Sequence, residues 1–211
     1  MSVFSGHLAR VLVLFLTLPQ WGSVQAAEPI ASHSFLSNFQ NLELVDHRGT
    51  PFRPQALLGQ VVLFNFVFTG CDSTCPLQTQ SLARVLNELP PATRRQVRFV
   101  SVSIDPGNDS PAKLRAFARQ LGADLPGWDF VTGDVNDLLG LARQLQMLNA
   151  DQPDAPQIHR TSLWLVDKQG RMLQRYRGNP PDRERLVREL VQVSALAPIA
   201  AHRAVAKGIA P

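Results

Sequence analysis

The chain has little cysteine and little charge. Only two of its 211 residues are cysteines, and charged residues make up 18% of it. Two cysteines exclude a small disulfide-rich scaffold, and a fold of this size does not depend on disulfide bonds. The basic residues behind the net charge of +4 are scattered, and no dense basic run alternates with aromatic residues. This distribution speaks against a nucleic-acid-binding protein.

Long apolar runs are also missing. The N-terminal run, residues 11–18, is shorter than the roughly 18 residues of a membrane-spanning helix, and no later segment is apolar enough to cross a membrane. The run follows Arg10 and precedes the small residues of 24–26, as in a secretory signal. We therefore expect residues 1–26 to be a cleavable signal peptide and the mature chain to be periplasmic. An uncleaved N-terminal membrane anchor is the alternative.

The remaining chain, about 170 residues, is long enough for one domain with its own core. We place this domain at residues 36–193. The segment 195–211 is rich in alanine and proline, and we expect it to be disordered.

Alternating strand and helix patterns fill the domain. The patterns predict a hairpin at 39–52, strands at 61–68, 97–104 and 128–131, helices after Pro76 and Ser110 and at 134–145, a second hairpin at 162–176, and a closing helix at 182–193. This order predicts an α/β, thioredoxin-like fold with a central mixed sheet flanked by helices and an N-terminal β-hairpin. Phe64, Trp128 and Trp164 are expected in its core.

The two cysteines, Cys71 and Cys75, follow the apolar strand 61–68, just where a helix is predicted to start. A disulfide across three residues closes a very small loop, so it would stabilise the fold little. Residues i and i+4 of a helical turn face the same way, so both thiols can point at one metal or form a strained, reducible bridge. The pair therefore predicts either soft-metal binding or disulfide exchange.

Two thiolates do not saturate most metals, so a third ligand is expected among the histidines of the mature chain. His33, His47 and His202 are most simply interpreted as solvated surface residues. His159 differs because it stands between a proline-containing loop and the strand 162–166. From there a loop can carry its imidazole across the top of the sheet toward the thiols.

Several segments carry a family resemblance. Residues 68–76, Phe-Thr-Gly-Cys-Asp-Ser-Thr-Cys-Pro, resemble the copper motif of the Sco/SenC family, the periplasmic and mitochondrial assembly factors for cytochrome c oxidase. Segments 42–52, 100–111 and 159–170 are similar to further parts of that family in the same order.

The resemblance implies that Cys71, Cys75 and His159 hold copper, as Cu(I), Cu(II) or both, and that Asp105 is a nearby supporting acid. Zinc fits the same donors but prefers a fourth ligand. The implied function is that of a copper metallochaperone for the binuclear copper centre of cytochrome c oxidase. Its implied partner is the copper-bearing oxidase subunit or another periplasmic copper or thiol protein, with peripheral membrane association as an option.

A second function remains open, that of a thiol–disulfide oxidoreductase in which Cys71 and Cys75 are the redox pair. Two departures from the family pattern favour keeping it: the spacer 72–74 and Arg160 directly after the histidine. Under the copper interpretation the protein is not expected to be a turnover enzyme.

Overall fold

The computed structural model describes residues 34–148, 161–177, 179 and 181–196. Within these residues the strands are β1 (Leu44–Asp46), β2 (Pro51–Phe52), β3 (Val61–Val67), β4 (Val97–Ser103), β5 (Trp128–Gly133), β6 (Ser162–Val166) and β7 (Met172–Arg177). The helices are α1 (Thr74–Glu88), α2 (Pro91–Arg94), α3 (Pro111–Gln120), α4 (Val135–Gln144) and α5 (Arg183–Ala195). Two 3₁₀ helices, Phe35–Phe39 and Pro54–Leu57, precede β1 and β3.

All these strands form one sheet in the order β2-β1-β5-β4-β3-β6-β7. The central strands β3, β4 and β5 are parallel, whereas β1 and β2 on one side and β6 and β7 on the other add antiparallel pairs. Helix α1 packs against α5, and α3 and α4 pack on β5. The predicted α/β architecture, a central mixed sheet flanked by helices with an N-terminal hairpin, is confirmed.

Strand β3 lies at the centre of the sheet, and every one of its residues is buried. Its Phe64 packs against the 3₁₀ helix, with ring centroids 5.3 Å from Phe35 and 5.0 Å from Phe39. Its neighbour Asn65 points to the opposite face, where it bonds to Gln78 of α1. Both faces of β3 are thus covered, which explains its almost continuous apolar sequence.

A chain of buried hydrogen bonds crosses the core from α1 to β5. Asn65 donates to Gln78 Oε1 at 3.1 Å, Ser101 donates to Asn65 Oδ1 at 2.7 Å, and the indole of Trp128 donates to Ser101 Oγ at 2.9 Å. All four side chains are at most 2% exposed. The chain pairs the polar groups of Asn65, Ser101 and Trp128 and ties α1 to three strands. Gln78 Nε2 has no hydrogen-bond partner among the described residues.

The core prediction is confirmed for Phe64, Trp128 and Trp164, which are 1%, 0% and 2% exposed. The short helix α2 was not predicted, because four residues are too few for a helical periodicity. Helix α1 begins at Thr74 and so includes Cys75 in its first turn.

The surface prediction for His47 is wrong, since its side chain is buried at 1% exposure. The turn between β1 and β2 lies against β5, where the His47 N–H donates to the carbonyl of Phe130 at 2.7 Å. The imidazole Nδ1 accepts the N–H of Phe130 at 3.2 Å, and Nε2 lies 3.3 Å from Asp124. This packing depends on residues far away in the sequence, so local patterns do not reveal it.

The predicted signal peptide, the loop before β6 and the tail beyond Leu196 lie outside the described residues. The domain limits 36–193 therefore stay a prediction. None of the described helices is long and apolar enough to span a bilayer.

Candidate metal centre

The two thiols lie between the end of β3 and the first turn of α1. Cys71 is in the loop that follows β3, and Cys75 is in the first turn of α1. The predicted location at a helix start is confirmed. The expectation that one helical turn carries both cysteines is wrong, because the helix begins only at Thr74. The loop folds back instead, with the Cys71 N–H donating to the carbonyl of Phe68 at 3.3 Å.

The sulfur of Cys71 caps the start of α1. The first N–H groups of a helix have no partner within the helix, and Ser73 offers no side-chain cap. The N–H of Cys75 donates to Cys71 Sγ at 3.3 Å, and the hydroxyl of Thr74 lies 3.5 Å from the same sulfur. The positive end of the helix dipole therefore faces Cys71, which favours its thiolate form.

The pKa values of the two thiols are shifted in opposite directions. Partial burial alone would raise the pKa of Cys71, but hydrogen bonds from the Thr74 hydroxyl and from the N–H groups of Cys75 and Ser73 outweigh it and leave this pKa lowered. Burial raises the pKa of Cys75 to about 12, and the adjacent Cys71 sulfur adds to this effect. Cys75 is only 2% exposed, whereas Cys71 is partly exposed. The two cysteines are not joined by a disulfide.

A buried carboxylate, Asp109, fastens the loop that leads to Cys71. It is 0% exposed. It accepts the N–H of Thr69 at 3.0 Å, the hydroxyl of Thr69 at 2.6 Å and the hydroxyl of Ser103 at 2.6 Å. Asp109 thus joins the end of β4 to the residue two positions before Cys71. Sequence reasoning missed this role, although Asp109 is a second acid in the segment 100–111.

The predicted supporting acid, Asp105, lies two residues beyond the end of β4 and shapes the turn that follows. Both of its carboxylate oxygens accept from the Asn108 amide at 3.0 Å. Its carbonyl oxygen accepts the N–H groups of Asn108 and Asp109 at 2.9 Å. The turn formed by Asp105 presents Asp109 to the thiol loop, so the contact between the two segments is made by Asp109.

A further contact reaches the first turn of α1 from the segment before α5. The amide of Asn179, before α5, donates to the carbonyl of Thr74 at 2.9 Å. No sequence pattern pointed to Asn179. The segment before α5 runs along α1, with Asn179 at Thr74 and Arg183, the first residue of α5, paired with Glu88 at 3.3 Å.

Comparison with known proteins identifies the family. The family model SCO1/SenC matches residues 31–195. The chain belongs to the SCO1/SenC family. This SCO1/SenC protein is 30% identical over 181 residues to the SCO1 protein homolog of Bacillus subtilis, which covers 84% of this chain and 90% of that protein.

Two further relatives of this SCO1/SenC protein bear on its fold and chemistry. It is 33% identical over 104 residues to a protein of Stutzerimonas stutzeri named as copper-binding, a match over 49% of this chain and half (50%) of that one. It also resembles the solved structure of BsSco, described as a member of the Sco family of cytochrome c oxidase assembly proteins with a disulfide switch. That likeness has a TM-score of 0.62 at 27% identity and covers 73% of this chain and 91% of the other. The predicted thioredoxin-like fold is thereby confirmed.

In this SCO1/SenC protein, the structure brings Cys71 and Cys75 together and places Asp105 beyond the end of β4. In the parts of the chain that the structure describes, no group of three or more histidine, cysteine or acidic side chains is arranged to hold a metal ion. His159 and the neighbouring Arg160 lie outside those parts. The third ligand therefore stays a prediction.

Proposed function

We propose that this SCO1/SenC protein is a periplasmic copper metallochaperone that serves the binuclear copper centre of cytochrome c oxidase. The observation that carries the proposal is the pair of thiols, not joined by a disulfide, at the start of α1. Cys71 is partly exposed and has a lowered pKa, whereas Cys75 is buried directly beside it. The copper-binding name of the Stutzerimonas stutzeri relative and the description of BsSco support the same function.

The donor set fits copper. Thiolates are soft ligands that select Cu(I), and an imidazole from His159 would complete a low-coordinate site. Copper is here a cargo, so a site that can also release it is required. Cys71 is partly exposed and offers a route for ligand exchange with a partner. Asp109 keeps the Cys71 loop in place without occupying the sulfurs.

Copper binding must displace protons from these thiols, because thiolates are the ligands. The raised pKa of Cys75 keeps its proton on at neutral pH in the metal-free protein. Lowering the pH therefore weakens copper binding, since protons compete at both sulfurs. Oxidation to a disulfide removes two protons and two electrons from the pair and takes away both sulfur ligands, so redox state controls copper occupancy.

The test is Cu(I) titration of the reduced protein under anaerobic conditions, in competition with a chelator of known affinity. We expect one equivalent of copper for the wild type and none at comparable affinity for Cys71→Ser or Cys75→Ser. His159→Ala should weaken binding by about tenfold or more, because it removes one of three ligands. His202→Ala is the matched control and should bind as the wild type does. Unchanged affinity in His159→Ala would refute the ligand assignment.

A second function, that of a thiol–disulfide oxidoreductase, is favoured by the lowered pKa of Cys71 next to the raised pKa of Cys75. A partly exposed thiol of lowered pKa suits the attacking position, and a buried neighbour suits the resolving one. The Cys75→Ser variant should then trap a mixed disulfide through Cys71 with a periplasmic protein. His159→Ala should leave this trapping intact while it weakens copper binding. Failure of Cys75→Ser to trap any partner would leave copper carriage as the only supported function.

The periplasmic location rests on the N-terminal sequence. Cell fractionation and N-terminal sequencing of the purified protein should give a periplasmic chain that begins near Ala27. A chain that keeps residues 1–26 and sediments with membranes would support the anchored alternative.

A further inference from the structure

A concave site lies at the opposite end of the sheet from the thiols. It is a cleft of about 580 Å³ whose lining includes Arg94, Arg95 and Arg98. We call it the arginine cleft. Strands β3 and β4 are parallel and both begin beside it, whereas the thiols follow the end of β3. With about 3.3 Å of rise per residue, a strand of this length puts roughly 20 Å between the two sites.

The charge of the arginine cleft is unbalanced. No acidic residue is among its lining residues. Arg98 is held by Asp129, whose other carboxylate oxygen accepts from Arg48 at 3.0 Å. In the described part of the chain, Arg94 and Arg95 form no ion pair. Among the described residues, two guanidinium groups of this cleft therefore have no acidic partner, and they lie beside a third that is paired with Asp129.

The backbone that carries these arginines is firmly held. Arg94 ends α2, and the next residue but one, Gln96, donates its N–H to the carbonyl of Thr93 at 2.8 Å. The carbonyl of Gln96 accepts the N–H of Val61 at 2.8 Å, and its side-chain oxygen accepts from Lys168 at 2.9 Å. Because the backbone is already fixed, no loop has to be ordered when the arginine side chains close on a ligand, and this lowers the entropic cost of binding.

We propose that the arginine cleft binds a phosphate group. Guanidinium groups match the geometry of phosphate oxygens with paired hydrogen bonds, and several of them together favour a group that carries more than one negative charge. The volume suits a small organic phosphate, a pyrophosphate or a phospholipid headgroup. This site is separate from the thiols and does not depend on the proposed copper function.

The test compares two double variants that lose the same charge. Arg94→Gln/Arg95→Gln removes the uncompensated pair of the cleft. Arg84→Gln/Arg115→Gln removes two exposed arginines of α1 and α3 that also form no ion pair among the described residues. Calorimetric titration of the full chain with inorganic pyrophosphate should show binding by the wild type. The cleft variant should lose about tenfold or more in affinity, and the control should stay within about twofold.

Sedimentation with phosphatidylglycerol vesicles, against phosphatidylcholine vesicles, identifies the source of the phosphate. Retention that is lost only in the cleft variant assigns the site to a lipid headgroup, and pyrophosphate binding without retention assigns it to a free phosphate compound. Absence of binding in both arms, or equal losses in the two double variants, would overturn the proposal. Thermal unfolding and Cu(I) titration should be unchanged in both variants, because neither touches the core or the thiols.

Discussion

Asp109 holds Thr69 by two hydrogen bonds, at 3.0 Å from the N–H and 2.6 Å from the hydroxyl, across 40 residues of sequence. Thr69 stands two residues before Cys71, so the position of the exposed thiol depends on a carboxylate from another loop. Asp109, which lies outside the family motif around the cysteines, therefore supports the conformation of that motif.

Replacing Asp109 by Asn should destabilise the fold and disturb Cys71. The Asn side chain has the same shape, but one carboxylate oxygen becomes an NH₂ group, which donates. Three groups donate to Asp109, namely the N–H and hydroxyl of Thr69 and the hydroxyl of Ser103, so at least one of them loses its acceptor. We expect the free energy of unfolding to fall by about 1–3 kcal/mol. The pKa of Cys71 should move back toward its ordinary value as the loop relaxes. Urea unfolding and the pH dependence of alkylation measure the two effects.

Asp105→Asn is the matched control, because Asp105 is only half-buried and its carboxylate bonds to Asn108. Its effect on stability should stay near 0.5 kcal/mol, on the order typical of surface changes. A larger loss in Asp105→Asn than in Asp109→Asn would show that the wrong carboxylate has been assigned to the thiol loop.

Alkylation of the native, reduced protein should modify Cys71 well before Cys75. The thiolate is the reactive form, Cys71 has the lower pKa, and Cys75 is buried. The rate at Cys71 should rise with pH and reach half its maximum at a lower pH than in the unfolded chain, because the pKa of Cys71 is lowered. Peptide mapping by mass spectrometry after limited iodoacetamide treatment gives both rates.

Thr74→Val tests the origin of that acidity. It removes the hydroxyl that lies 3.5 Å from Cys71 Sγ, so the midpoint of the Cys71 rate profile should move to higher pH. Preferential labelling of Cys75 in the wild type would contradict the assignment of the lower pKa to Cys71, which supports both proposed functions.

The reduced, metal-free protein should lose stability as the pH rises above about 8.5, the pKa of an unfolded cysteine. Folding raises the pKa of Cys75 to about 12, so at alkaline pH the unfolded chain releases this proton while the folded chain retains it. Deprotonation then favours unfolding, by up to about 1.4 kcal/mol per pH unit between these two pKa values. Below pH 8 both states keep the proton and the contribution to pH dependence vanishes.

Cys75→Ala should remove this part of the alkaline slope, and Cys71→Ser should keep most of it, since burial of Cys75 is the main cause. Denaturant unfolding at a series of pH values provides the comparison. Equal slopes in the wild type and Cys75→Ala would show that Cys75 ionises as readily in the folded chain as in the unfolded one.

Ser101→Ala should destabilise the core far more than the loss of one small hydroxyl group suggests. It takes the donor from Asn65 Oδ1 and the acceptor from the Trp128 indole, and leaves both groups buried. We expect a loss of about 2–4 kcal/mol in unfolding free energy for two orphaned groups. Ser81→Ala on the partly exposed side of α1 should change it by about 0.5 kcal/mol or less. Similar values for the two variants would mean that the buried chain is not a stabilising feature.

Sequence reasoning located most of the fold because the decisive signals are local. The almost continuous apolar run of β3 marks a buried strand without reference to the rest of the chain. The turns at Gly49 and Gly170, whose φ values are +85° and +80°, mark two hairpins in the same way. Cys71 and Cys75 were found because their spacing and position carry chemical meaning.

The features that sequence reasoning missed depend on distant contacts. His47 looks like any polar turn residue until the hairpin docks on β5, and Asp109 looks like any loop acid until Thr69 reaches it. The capping of α1 by Cys71 also required the structure, because a loop rather than a helical turn brings the sulfur to the helix start.

The buried hydrogen-bond chain through Gln78 gives the two sulfurs unequal freedom. Gln78 lies three residues after Cys75 on α1, and its bond to Asn65 resists sliding or rotation of the helix over the sheet. Cys71 instead lies in the loop beyond the anchor at Thr69, where residues 70–73 are partly or fully exposed. If the pair closed on a metal or into a disulfide, Cys75 would stay with the helix and Cys71 would move, so the conformational change would fall on residues 70–73.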